Sequence, residues 1–147
     1  MNINHKLLLG FTLLELMITL TIIGIITSIA YTSFQSYVLK ARRIDATETL
    51  MKLAVAQERF YNQHMYYSND ISSTAGLNHQ SLLTSEGFYQ LSVVIKTYSK
   101  DGKDSFILTA KAINNQANDK DCINFSLNNL TVRKAMNNQG VENNGCW

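Results

Sequence analysis

An α+β fold is predicted: one long N-terminal helix, membrane-spanning in its first half, packed on an antiparallel four-stranded β-sheet. Three observations predict it. From Phe11 to Tyr31 the chain is an apolar run with a single charge, Glu15. From Ser33 to about Gln63 there is no Gly, Pro is absent from the whole chain, and helix formers such as Ala46, Glu48, Leu50, Leu53 and Ala56 dominate. From Phe88 onward, short segments rich in Val, Ile, Phe and Thr are separated by turn residues. A helical stretch followed by a run of strands is the signature of α+β architecture.

The elements follow in order. Met1–Gly10 is a leader too short to fold. Residues 11–32 form a helix whose apolar run, Phe11–Tyr31, is about 31 Å long at 1.5 Å per residue, which matches the roughly 30 Å hydrocarbon core of a bilayer. Glu15 is the anomaly in it, since an acidic side chain at the centre of such a helix costs about 2.5 to 3.5 kcal/mol. Near the N-terminal end the cost is smaller and the helix dipole favours the carboxylate. Glu15 therefore either rests at headgroup level or waits for a cationic partner.

Nothing stops the helix there, so residues 33–62 continue it as an amphipathic segment. Phe34, Tyr37, Val38, Ala41, Ile44, Met51, Ala54 and Val55 recur at helical spacing, and this stripe is expected to dock the sheet. A second row, Leu50, Leu53, Gln57 and Phe60, lies beside it. Residues 63–147 form the rest of the body. Asn62 to Glu86 is polar and irregular, with Met65-Tyr66-Tyr67 expected to pack back on the core. Phe88–Tyr98 and Ser105–Ile113 read as a hairpin across Lys100-Asp101-Gly102-Lys103, and Cys122–Leu127 and Leu130–Ala135 as a second across Asn128-Asn129. The tail from Asn137 to Trp147 reads as a loop.

Gly10-Phe11-Thr12-Leu13-Leu14-Glu15-Leu16-Met17 resembles the N-terminal signature of type IV pilins and of the related type II secretion pseudopilins. The resemblance implies that a prepilin peptidase cleaves between Gly10 and Phe11, that Phe11 is N-methylated, and that Glu15 pairs with the terminal amine during assembly. Ala56-Gln57-Glu58-Arg59-Phe60-Tyr61 and the terminal Cys146-Trp147 are similar to a subset of pilins and minor pilins, so the resemblance spans nearly the whole chain. It implies the type IV pilin roll, with other pilin subunits, the peptidase and the pilus assembly machinery as partners. It also implies an inner-membrane stage, with the N-terminus cytoplasmic and the body periplasmic, before incorporation into an extracellular pilus that serves adhesion, twitching motility or DNA uptake. One departure stands out. Pilins usually carry a helix-kinking Pro just past the apolar core, where this chain reads Tyr31-Thr32-Ser33.

The formal net charge of +2 over 147 residues is too small to indicate a nucleic-acid binder by itself. Cys122 and Cys146 lack the Cys-x-x-Cys spacing and nearby His of a zinc site. In an exported body they would pair, which stabilises by about 3.5 kcal/mol in the chain-entropy model; in a cytoplasmic body they would be two free buried thiols. Lys40, Arg42 and Arg43 follow the apolar run, and charge counting alone would leave the body in the cytoplasm. The cysteines and the pilin resemblance point outside.

No nucleophile–base set is visible: His5, His64 and His79 are isolated, and no catalytic residue, metal or cofactor is expected. Asp101, Asp104, Asp119 and Asp121 fit no calcium-loop spacing. Asn124-Phe125-Ser126 and Asn129-Leu130-Thr131 match the glycosylation sequon, although in a strand hairpin such residues also fill turns. The leading reading is a structural pilus subunit, major or minor. The alternatives are a DNA-binding minor pilin for natural transformation, for which Lys111, Lys120, Arg133 and Lys134 offer a basic surface, and a type II secretion pseudopilin.

Overall fold

The computed structural model describes residues 10–97 and 104–147. The expected leader, apart from Gly10, and the turn Lys100–Lys103 lie outside the described residues. The chain divides into two units, Met1–Ser36 and Tyr37–Trp147. One helix, α1, runs unbroken through Leu13–His64, 52 residues.

Within the first unit α1 starts at Leu13 rather than Phe11, because Thr12 caps it. The Glu15 N–H donates to Thr12 Oγ1 at 3.2 Å, and Thr-x-x-Glu is the spacing of a capping box. The apolar run gives an 18-residue window with mean hydropathy 2.2, long and apolar enough to cross a membrane. Its hydroxyls are satisfied within the helix. Thr19, Thr21 and Ser28 donate to the carbonyls of Leu16, Ile18 and Ile25, and Thr27 donates to Ile23. An apolar medium requires this, since it offers polar groups no other partner.

The second unit is built on a sheet of order β1-β2-β3-β4, comprising β1 Tyr89–Thr97, β2 Asp104–Ala112, β3 Asn124–Asn128 and β4 Arg133–Met136. All neighbours are antiparallel. Alternation directs Tyr89, Leu91, Phe106, Leu108, Ala110, Phe125, Leu127 and Ala135 onto one face, where they are buried with Leu50, Leu53 and Phe60 of α1. β3 and β4 begin later than the alternation suggests. Asn128 Oδ1 accepts from both the Leu130 and Val132 N–H groups, so residues 129–132 are taken up by the turn.

The docking stripe of α1 needs correction. Ala46, Thr49, Leu50, Leu53, Gln57 and Phe60 meet the sheet, whereas Tyr37, Ala41, Ile44, Met51 and Val55 face outward. The buried row contains two small residues, which lets the helix approach the sheet closely, and Gln57 because its polar head is fully used. Gln57 Nε2 donates to the Ser68 carbonyl at 2.6 Å, and Gln57 Oε1 accepts from the Ser68 N–H at 3.0 Å. This pair clamps the loop leaving α1 as a strand partner would.

Of Met65-Tyr66-Tyr67 only Tyr67 packs inward, edge-on against Phe106 at 4.9 Å. Met65 and Tyr66 are exposed, because a positive φ of 63° at Met65 turns the chain out of the helix. Farther on, Asp70 Oδ1 accepts from the Ser72 and Ser73 N–H groups, and the Asp70 carbonyl accepts from Leu77. Gly76 lies so close over that carbonyl that a Cβ could not be accommodated.

The open edges of the sheet are partly covered. Leu83 bridges to Gln90 beside β1, and Glu142 bridges to Met136 beside β4. The C-terminal segment is therefore not a free loop. It ends in a short 3-10 turn, Asn144–Cys146, tied by the Cys122–Cys146 disulfide with S–S 2.02 Å.

Candidate functional site

Three sets of residues carry the chemistry that the sequence singles out. The first is the N-terminal end of α1. Phe11 is 81% exposed, and a Cβ on Gly10 would meet nothing within 4 Å, so the Gly10–Phe11 peptide is sterically open. Glu15 sits in the first helical turn, with its backbone N–H held by Thr12. The carboxylate thus lies where the helix dipole favours it and where a cation at residue 11 would be a near neighbour.

The second set joins α1 to the β2–β3 connection. Arg43 donates from Nε and Nη2 to the two carboxylate oxygens of Asp119, each at 2.7 Å, with side-chain exposures of 12% and 3%. This hydrogen-bonded pairing raises the Arg43 pKa above its ordinary value, although burial pulls the other way. Gln116, fully buried in the 3-10 turn Asn114–Asn118, donates from Nε2 to the Leu39 carbonyl and the Tyr89 hydroxyl, both at 3.0 Å, and to Asp119 Oδ2 at 3.3 Å. Nε2 has two hydrogens for three acceptors, so one hydrogen is shared. Burial pushes the Tyr89 phenol well above its usual pKa and keeps it neutral in this network. Asp119, weighed above as a calcium ligand, is instead the carboxylate that neutralises Arg43. Among the described residues no group of His, Cys, Asp and Glu is arranged to hold a metal.

The third set is basic. Lys111 and Lys134 lie on the outer face of the sheet, since their partners Asn124 and Ser126 share that face of β3. Lys120 is exposed in the β2–β3 connection, its carbonyl accepting from the Asn138 N–H at 3.0 Å. Arg133 is not on that outer face: its guanidinium lies 5.5 Å from the Trp147 ring centre on the other face. Glu142 partly neutralises Lys134 at 3.1 Å. Sequence reasoning missed the Arg43–Asp119 pair and Gln116; the only available hint was a cation, Arg43, within an amphipathic helix. His64 stacks on Phe60 with ring centroids 4.3 Å apart, and His79 Nδ1 lies 2.7 Å from the Ser81 carbonyl.

Comparison with known proteins adds the following. Residues 9–31 match a family profile described as the prokaryotic N-terminal methylation motif. Residues 32–126 match one described as type IV minor pilin ComP, DNA uptake sequence receptor. The chain is 38% identical over 60 residues to the type IV major pilin protein PilA of Myxococcus xanthus, a stretch covering 41% of this chain and 27% of that protein. It is 32% identical over 93 residues to the fimbrial protein EcpC of Eikenella corrodens, covering 63% of this chain and 58% of that one. The matched stretches thus span from about a quarter to under two thirds of those relatives. Among solved structures, a type IV pilin from Shewanella oneidensis aligns with TM-score 0.49 and 28% identity, covering 74% of this chain and 97% of that one.

Proposed function

Because this chain belongs to the family described as type IV minor pilin ComP, DNA uptake sequence receptor, and so to the type IV pilins, we propose that it is a structural subunit of a type IV pilus. In this reading it enters the filament through α1. The observation that carries the reading is the methylation motif over residues 9–31, which runs directly into the pilin body. A prepilin peptidase cuts between Gly10 and Phe11, and Phe11 is methylated on its new amine. The apolar part of α1 holds the subunit in the inner membrane, N-terminus cytoplasmic and body periplasmic, until the assembly machinery moves it into the pilus. Glu15 then pairs with a Phe11 amine. The disulfide supports a body on the oxidising side. Intact mass and N-terminal sequencing of the chain from sheared filaments test the processing: a start at N-methyl-Phe11 is expected, and a mature chain beginning at Met1 contradicts the reading.

A second reading concerns DNA. The family description favours it, and Lys111 and Lys134 on the outer face of the sheet supply the chemistry that phosphates attract. The full chain in detergent micelles is then expected to bind a short DNA duplex in a salt-dependent way. Lys111→Ala and Lys134→Ala should each lower the slope of log affinity against log salt by about 1. Retention of the wild-type slope by both variants would remove these lysines from the contact, and absence of binding at low salt would remove the DNA reading.

A further inference from the structure

Asn144-Gly145 is the one Asn-Gly pair in the chain. Such a pair carries its own reaction. The glycine nitrogen attacks the asparagine Cγ, and with no side chain on glycine nothing shields that nitrogen. A bond forms between Gly145 N and Asn144 Cγ, and the Cγ–Nδ2 bond breaks. Ammonia leaves with the proton that the glycine N–H gives up, and a five-membered succinimide remains. Water then opens the ring at either carbonyl, giving aspartate or isoaspartate. The sum is an amide plus water going to an acid plus ammonia, so neither an oxidant nor a cofactor is needed.

The C-terminal turn presents this pair and restrains it at the same time. Asn144 and Gly145 are both exposed, and beyond its chain neighbours a Cβ on Gly145 would meet only Asn143 Oδ1, at 3.4 Å. Ring closure requires the nitrogen of residue 145 to swing back over the Asn144 side chain. The 3-10 turn Asn144–Cys146 holds it away, since ψ in such a turn stays near about −20 to −30°. The nucleophile is also engaged, because the Gly145 N–H donates to Asn143 Oδ1 at 3.1 Å. Asn143 is fixed in turn. Its backbone N–H donates to the Ala135 carbonyl of β4 at 2.8 Å, and its Nδ2 donates to the Asp121 carbonyl at 3.3 Å. The Cys122–Cys146 disulfide closes the turn from its other end.

We propose that Asn144 is a site of spontaneous deamidation, held unreactive by the Asn143 clamp together with the disulfide and released when the turn opens. The bare sequence suggests the opposite, since an exposed Asn-Gly pair in a loop is among the most labile in a protein. The restraint lies within the body and is independent of the filament. The reaction runs one way. Isoaspartate inserts an extra main-chain carbon between Asn143 and Cys146, and so shifts Cys146 from the position that places its Cα 5.8 Å from that of Cys122. Aspartate instead puts a negative charge in the turn. A chain that has lost its disulfide is thereby marked permanently, and a chain that keeps it is not.

The test ages the full-length chain in detergent micelles at mildly alkaline pH and follows conversion at Asn144 by peptide mass spectrometry. The urea-unfolded chain sets the unrestrained rate. The folded, oxidised chain should convert at least about tenfold more slowly, equivalent to about 1.4 kcal/mol of local stability. The reduced and alkylated chain should approach the unrestrained rate. Reduction also loosens the body at large, so Asn143→Ala with the disulfide intact separates the local restraint from global unfolding. That variant should keep a native near-ultraviolet circular dichroism spectrum and yet convert Asn144 about fivefold faster than wild type. Equal rates in the folded, oxidised chain and the urea-unfolded chain overturn the proposal, as does a wild-type rate in folded Asn143→Ala. Conversion at Asn137 or Asn138 in place of Asn144 overturns the site itself.

Discussion

Replacing Asp119 with alanine should lower the folding stability of the body by about 3 to 5 kcal/mol, the usual cost of leaving one half of a buried ion pair behind. Arg43 is 12% exposed, and Asp119 accepts both of its short hydrogen bonds. Without the carboxylate the guanidinium keeps its charge and loses its counter-ion. Among the described residues Asp121 is the substitute at hand, 4.0 Å from Nη2 and 74% exposed, and so too solvated to replace it. The loss also removes the longest of the three Gln116 contacts, at 3.3 Å, while those to the Leu39 carbonyl and the Tyr89 hydroxyl remain and still tie the β2–β3 connection to α1. Urea unfolding of the detergent-solubilised chain measures the effect. The double variant Arg43→Met with Asp119→Leu should recover much of the loss, because two apolar side chains carry no unpaired charge. A loss under about 1 kcal/mol for Asp119→Ala would mean that the pair behaves as a surface ion pair.

Local chemistry in the sequence accounts for most of the architecture. The apolar run, the absence of Gly and Pro after it, and the alternation in β1 and β2 each express themselves within a few neighbouring residues. What the sequence could not reveal is contact between distant residues. Arg43 and Asp119 lie 76 positions apart, and nothing near either residue announces the other. Periodicity also identified two apolar rows on α1, and the stripe that includes Tyr37, Ile44, Met51 and Val55 was expected to dock the sheet; those four residues face outward. The sheet instead takes the row in which Ala46 and Thr49 allow close approach and Gln57 finds a backbone to clamp. At the candidate site, Gly10, Phe11 and Glu15 stood out because their order along the chain is the signal. The capping of Glu15 by Thr12 was equally legible as Thr-x-x-Glu, but the apolar context drew attention to the charge alone.

Glu15 carries the largest expected effect on function. After cleavage, Phe11 presents a positive amine a few residues from it. Within one subunit the two meet loosely, because helix ends fray; between subunits, the carboxylate of one reaches the amine of the next. Low dielectric strengthens such a pair, while desolvation offsets much of the gain. Its main consequence is therefore register: a subunit out of step leaves a charge unpaired in hydrocarbon, which costs about 2.5 to 3.5 kcal/mol at a helix centre and less near its end. Thr12 remains in Glu15→Ala and caps the helix as before, so membrane insertion and cleavage after Gly10 should persist. The deciding measurement is the amount of the Glu15→Ala chain in sheared filaments, relative to its cleaved membrane pool. A cleaved, membrane-inserted variant depleted at least about tenfold, equivalent to about 1.4 kcal/mol, is the predicted result; incorporation at the wild-type ratio would contradict assembly through this helix end.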